Sequence, residues 1–325
     1  MKLKRIFAAI VAAAALTATL TACKGDGSGD KVYNIGICQL VEHPALDAAT
    51  EGFMAALTEK LGEENVKFNE QNAQNEMTNC TTICNTFVSG NVDLILANAT
   101  GALQAAASAT NSIPIVGTSI TSYAVAMGID DWADKTFDNV TGTSDLAPID
   151  GQEDMLVELF PDVKQVGIIY CSAEANSKYQ VDLFKAELEA DGIAYKEYSV
   201  ADSNEIQAVA TTAVGECDVL YIPTDNTLAN AAETIRNVVV PAKIPVIAGE
   251  EGICKGCGVA TLSISYYDIG YKAGEMAYDI LVNGTKAGDM DIAFAPQFVK
   301  MYNAEICNEL DITPPEGYEA VASEE

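Results

Sequence analysis

The feature that most restricts this chain is that it repeats itself. Residues 32–39 (V-Y-N-I-G-I-C-Q) are answered by residues 163–170 (V-K-Q-V-G-I-I-Y), residues 92–96 (V-D-L-I-L) by 217–221 (C-D-V-L-Y), and residues 113–118 (I-P-I-V-G-T) by 244–249 (I-P-V-I-A-G). The offsets of 131, 125 and 131 residues keep the register across three segments of a 325-residue chain. Each segment is a short, continuous apolar run rich in β-branched residues, the pattern of a strand buried on both faces. Between them Leu46, Ala49, Phe53, Ala56, Leu57 and Leu61 fall at helical spacing, and residues 77–88 and 102–110 read as further helices. Strand–helix alternation of this kind builds a parallel sheet covered by helices. The expected fold class is therefore α/β, with two doubly wound parallel-sheet lobes joined by hinge strands.

Neither lobe is expected to be one continuous segment. Residues 31–139 with 266–284 are assigned to the N-terminal lobe, and 140–265 with 285–318 to the C-terminal lobe. Residues 139–142 and 263–265 serve as the hinge strands, and 319–325 are read as a frayed acidic tail.

Composition narrows the chemistry. Asp and Glu number 47 against 18 Lys and Arg, a net charge of -29 that repels phosphate backbones and excludes nucleic acid as a partner. The one histidine, His43, rules out zinc sites with several His ligands, and neither G-x-S-x-G nor a phosphate-binding P-loop occurs. The chain is expected to bind rather than catalyse, and to need neither metal nor cofactor. Eight cysteines follow Cys23. Most read as free buried side chains. Cys80 and Cys84 share a helix face, and Cys254 and Cys257, in a Gly-rich turn, leave a small disulfide open.

Residues 1–22 carry Lys2, Lys4 and Arg5 followed by a short apolar segment, as in an export leader. Its end, Leu20-Thr21-Ala22-Cys23, resembles the bacterial lipobox, which implies lipidation at Cys23. Residues 24–30 (K-G-D-G-S-G-D) then read as a flexible tether. The expected location is the outer face of a bacterial cytoplasmic membrane, held there by the lipid.

In doubly wound sheets ligands bind beyond the carboxyl ends of the strands, so two facing lobes place their strand-end loops around one cleft. The candidate ligand-binding residues are Glu42, His43, Pro44, Asn98, Ala99, Thr100, Thr118, Ser119, Thr121, Asp145, Ser172, Asn176, Asp225, Asn226 and Glu250. Hydroxyls near helix N-termini suit a carboxylate, and Glu42, Asp225 and Glu250 suit an ammonium, so the set fits a zwitterion. The same residue types at strand-to-helix junctions also cap helices. Tyr123, Trp132, Tyr170, Tyr179, Tyr266 and Tyr267 lie where they could wall a flat apolar group.

The strings Val41-Glu42-His43-Pro44-Ala45-Leu46-Asp47, Ala97-Asn98-Ala99-Thr100, Gly142-Thr143-Ser144-Asp145-Leu146, Glu174-Ala175-Asn176-Ser177, Pro223-Thr224-Asp225-Asn226 and Gly249-Glu250-Glu251-Gly252 resemble the substrate-binding lipoproteins of the tryptophan-type ABC importer family. The resemblance runs over residues 32–314. It implies a type I periplasmic-binding-protein fold that closes over a small molecule, most often an aromatic amino acid, and docks as a monomer on a membrane permease. By the same resemblance Thr100 and residues 118–121 would hold the α-carboxylate, and Asp225 with Glu250 the α-ammonium. Gly101 after Thr100 and the loop Thr118-Ser119-Ile120-Thr121-Ser122-Tyr123 depart from the family pattern, both on the carboxylate side. The alternatives are the same fold holding another amino acid, a sugar or a nucleoside, or presenting a ligand to a membrane sensor.

Overall fold

The continuous apolar runs become strands without an exposed face. In the computed structural model, which describes residues 31–132 and 137–321, Leu94–Asn98 and Ile115–Ile120 are buried along their whole length. The leader, Cys23 and the tether lie outside the described residues. The first half runs β1 (Tyr33–Gln39), α1 (Pro44–Leu61), β2 (Val66–Asn72), α2 (Met77–Ser89), β3 (Leu94–Asn98), α3 (Thr100–Ala109), β4 (Ile115–Ile120), α4 (Tyr123–Met127) and β5 (Val140–Ser144). The second runs α5 (Ile149–Leu159), β6 (Gln165–Cys171), α6 (Ala175–Asp191), β7 (Ala194–Val200), α7 (Ile206–Val214), β8 (Val219–Ile222), α8 (Asn226–Ala229), α9 (Ala232–Ala242), β9 (Val246–Ala248), α10 (Glu251–Cys257) and β10 (Ala260–Ser263). The tail adds α11 (Tyr266–Leu281), β11 (Ala293–Phe294), β12 (Val299–Tyr302), α12 (Ala304–Glu309) and β13 (Glu319–Ala320).

Two sheets result, ordered β11-β5-β4-β3-β1-β2 and β13-β12-β10-β9-β8-β6-β7. Each contains the same parallel core: β2-β1-β3-β4-β5 in one is matched by β7-β6-β8-β9-β10 in the other. This is the doubly wound order with a crevice at the switch point. The two-residue side-chain period splits each strand between two cores. Ile35, Ile37, Leu94 and Leu96 pack toward α1 and α11, while Cys38, Ile95 and Ala97 pack toward α2 and α3. In the second sheet Ile168 and Tyr221 join one core, Ile169 and Leu220 the other.

Several boundaries move. Val140–Ser144 pairs with β4, so it belongs to the first sheet and the chain leaves that sheet after Ser144. The return segment also runs longer than residues 266–284, because Ala293–Phe294 pairs with β5 and the crossing to β12 follows. Glu319–Ala320 is not frayed but pairs in parallel with β12. Helix α11 is fixed to α1 by backbone contact. A Cβ on Gly52 would stand 2.1 Å from the Tyr267 carbonyl oxygen, and one on Gly270 2.0 Å from that of Ala49. Among the described residues all eight cysteines are buried and unbridged, and Cys254 and Cys257 lie on α10 rather than in a turn. No helix among the described residues is long and apolar enough to cross a membrane.

Candidate functional site

The carboxyl ends of the two sheets meet across a cleft. A cavity of about 380 Å³ lies in it, walled by Leu40, Asn75, Met77 and Thr100 from the first lobe and by Glu174, Asn176 and Thr227 from the second. A second cavity of about 240 Å³ lies between Pro44, Ala45 and Ala48 of α1 and Glu250, Glu251 and Tyr266.

Buried polar groups in proteins nearly always find partners, so the exceptions are informative. Among the described residues, seven buried side-chain polar atoms have none, and four of them are His43 Nδ1, Asn98 Oδ1, Ser119 Oγ and Asp145 Oδ1. These four stand at, or just past, the ends of β1, β3, β4 and β5, which are adjacent strands of the first sheet.

Their neighbours determine what each atom offers. The Asn98 Nδ2 donates to the Leu46 carbonyl at 2.8 Å and to Thr50 Oγ1 at 2.9 Å, so the amide cannot turn over and its Oδ1 remains an acceptor. His43 Nε2 lies 3.3 Å from Asn226 Oδ1. Burial pushes the His43 pKa down, so the ring is neutral. Its Nε2 carries the proton and Nδ1 is the acceptor. Asp145 accepts from Tyr266 OH at 3.2 Å and from the Thr121 hydroxyl, which leaves Oδ1 free; burial raises this carboxyl to about 6. Ser119 has a φ of 56°, a left-handed backbone that serine seldom adopts, and Ala99 a φ of 86°. Such positions concentrate where a site holds the chain in place. Ala99 is the N-cap of α3 and provides no side-chain acceptor, so the first N–H groups of α3 have no side-chain cap.

The second lobe uses its polar side chains differently. Asp225 caps α8, accepting from Leu228 N at 2.9 Å with one oxygen and from Cys171 N at 2.6 Å with the other. Glu250 caps α10 through Gly252 N and Ile253 N. Burial raises both, Glu250 to about 7, and the nearby Glu174 charge adds to the rise at Asp225. The carboxylates of Asp225 and Glu250, expected to meet an ammonium, each accept backbone N–H groups of their own lobe. Asn176 is tied to Glu174 and the Thr224 carbonyl, and Ser172 is exposed with its hydroxyl on the Val200 carbonyl. In the first lobe Thr118 accepts from the Thr143 hydroxyl. Glu42 is exposed and accepts from Asn72, and Pro44 starts α1 at the second cavity. Tyr170 turns to Glu197, and Tyr267 stacks on Tyr271. Tyr123, Trp132 and Tyr266 remain as inward aromatics, the first two with ring centroids 5.2 Å apart.

Two residues were missed. Glu174, quoted in a motif but left out of the candidate set, accepts from the N–H groups and side chains of both Asn226 and Thr227. Asn75, in the loop after β2, donates to Thr227 Oγ1 at 2.9 Å. The signal for Glu174 was its place in a strand-end string; Asn75 had none beyond a polar loop.

Comparison with known proteins accords with this geometry. A tyrosine-binding protein of Clostridioides difficile is 37% identical over 96% of this chain and 94% of its own length. A Streptococcus pneumoniae ABC domain in complex with L-Trp superposes with a TM-score of 0.85 at 31% identity, covering 90% of this chain and 100% of that one. The ligand-free, open structure of a Clostridium difficile substrate-binding protein with adhesive properties reaches only 0.68, although it is 38% identical over 90% and 100% of the two chains. The arrangement here is thus nearer that of the L-Trp complex than that of the open structure. The family model for ABC transporter substrate-binding proteins matches residues 34–325, and the chain belongs to that non-enzymatic, extracytoplasmic family.

Proposed function

We propose that the protein captures a zwitterionic aromatic amino acid, tyrosine or tryptophan, and delivers it to the permease of an ABC importer. The observation that carries this reading is the set His43 Nδ1, Asn98 Oδ1 and Asp145 Oδ1: three unpaired acceptors at the ends of β1, β3 and β5 of one sheet. An ammonium offers three N–H donors, and only Asp145 supplies a full negative charge to meet it. The Ser119 hydroxyl and the uncapped N-terminus of α3 at Thr100 suit the carboxylate. Met77 and Leu40 give the larger cavity a polarisable apolar wall for a ring; Thr100 lines this cavity, whereas His43, Asn98, Ser119 and Asp145 are buried behind its lining. Its volume of about 380 Å³ is in the range of small-ligand sites. The names of the tyrosine-binding and L-Trp-bound relatives support the same ligand class.

The protein acts as a monomer attached through a lipidated Cys23, with residues 24–30 as tether. Closure of the lobes commits the ligand, and reopening on the permease releases it. Calorimetry on protein stripped of ligand by unfolding and refolding tests the reading. Tyrosine or tryptophan should bind at micromolar concentration or below, which is about -8 kcal/mol. Tyramine, lacking the carboxylate, and 4-hydroxyphenylpropionate, lacking the ammonium, should bind at least a hundredfold more weakly. Equal affinity for the deaminated analogue would overturn the assignment of the acceptor row.

A further inference from the structure

In the wall of the larger cavity, two hydrogen bonds join the lobes directly, and both are organised by one carboxylate. Glu174 Oε1 accepts from Thr227 N at 2.8 Å and from the Thr227 hydroxyl at 2.7 Å. Its Oε2 accepts from Asn226 N at 3.1 Å and from Asn226 Nδ2 at 2.7 Å. A carboxylate only accepts, so it fixes the polarity of both side chains. The Thr227 proton is spent on Glu174, and the oxygen lone pairs are left for Asn75 Nδ2 at 2.9 Å. The Asn226 amide likewise cannot turn over, and its Oδ1 is left for His43 Nε2–H at 3.3 Å. The second lobe thus presents two acceptors and the first lobe two donors. Asn75 is held in place by a left-handed backbone, φ 61°, and by its N–H on the Leu40 carbonyl.

The geometry points to a closure latch in which Glu174 is a positioning residue: by orienting Asn226 and Thr227 toward His43 and Asn75, it stabilises the closed state, its His43 arm shared with the acceptor row and its Asn75 arm separate from it. The latch deepens the capture role proposed above and rests on it for its biological use. Contacts present only in the closed state slow opening and leave the approach of ligand to the open state unchanged. Removing one should therefore raise the dissociation rate more than it changes the association rate, and because Asn75 and Thr227 also wall the cavity, the double variant separates a lost latch from a lost ligand contact.

The test uses Asn75→Ala, Thr227→Val and the double variant, with Glu174→Gln as the larger perturbation. Stopped-flow with tyrosine and tryptophan should give dissociation three- to tenfold faster in each single variant, the size of one net hydrogen bond. The double variant should be no faster than the worse single, because one bond is lost in either case. Glu174→Gln, which places an amide donor against Asn226 or Thr227, should exceed tenfold. Small-angle scattering of the stripped protein supplies a readout that needs no ligand: the variants should be more expanded than wild type at unchanged melting temperature. Unchanged dissociation, or single effects that multiply in the double variant, would overturn the latch. If neither amino acid binds, the ligand assignment fails and scattering alone decides the latch. Should Glu174→Gln not fold, the Asn75 and Thr227 variants carry the test.

Discussion

The two halves share strand order and much of their strand sequence, yet they treat their strand ends in opposite ways. After β8 and β9 in the second lobe, Asp225 and Glu250 turn back and cap the helices that follow. At the ends of β3 and β4 in the first lobe stand Ala99, which caps nothing with its side chain, and Ser119, whose hydroxyl has no partner, and the cap of α4 falls instead to Ser122. On the proposed reading, recognition of the polar groups is concentrated in the first lobe, and the carboxylates of Asp225 and Glu250 serve the second lobe's own helices.

The contrast can be broken most decisively at Asp145. Asp145→Asn keeps the shape but removes the charge opposite the ammonium. Affinity for tyrosine or tryptophan should fall by about 2–4 kcal/mol, roughly thirty- to a thousandfold, as measured by calorimetry. Stability of the stripped protein should hold or rise. A loss of less than threefold would return the ammonium to the second lobe.

Asp225→Ala is the mirror experiment. It leaves two backbone N–H groups of the second lobe unsatisfied and should cost about 1–3 kcal/mol in denaturant unfolding. The folded fraction should bind with near wild-type affinity. Full stability with abolished binding would reverse the roles of the two carboxylates.

The reason these roles could not be assigned from sequence is physical. The strands were legible because a continuous apolar run buried on two faces leaves a local signature, and the repeat made each half a check on the other. Whether an aspartate is free depends on what lies across the fold. Asp225 is occupied by the N–H of Cys171, 54 residues away, and Asp145 is left open because only Tyr266 and Thr121 reach it. The same holds for Val140–Ser144, whose sheet is decided by its pairing with β4 and not by its composition. The helix over Cys254 and Cys257 follows from the Glu250 cap, which overrides the glycines that suggested a turn.

A pH series sharpens the comparison further. Asp145 is raised from 3.8 to about 6 and Glu250 from 4.5 to about 7, both by burial. Between the unfolded and folded values the folded protein holds more protons, so stability of the stripped protein should decline as pH rises from about 4 to about 7. Ligand affinity should run the other way, falling as Asp145 is neutralised below about pH 6, by up to tenfold per pH unit. In Asp145→Asn the affinity slope should vanish while the Glu250 part of the stability slope remains. The smallest expected effect is at Ser119→Ala, a two- to fivefold loss of affinity for the removal of one hydroxyl.

The backbone contact of Gly52 with Tyr267 and of Gly270 with Ala49 has a consequence for how the molecule is made. The first lobe starts the chain but is finished by its last quarter: α11 and β11 are both required to complete its layers. During synthesis the second lobe has all of its β6–β10 core before the first can seat α11. The second lobe in turn waits for β12, α12 and β13 to finish its sheet and core, while the first matures by receiving a helix against bare backbone, where a single added methyl group would block the docking.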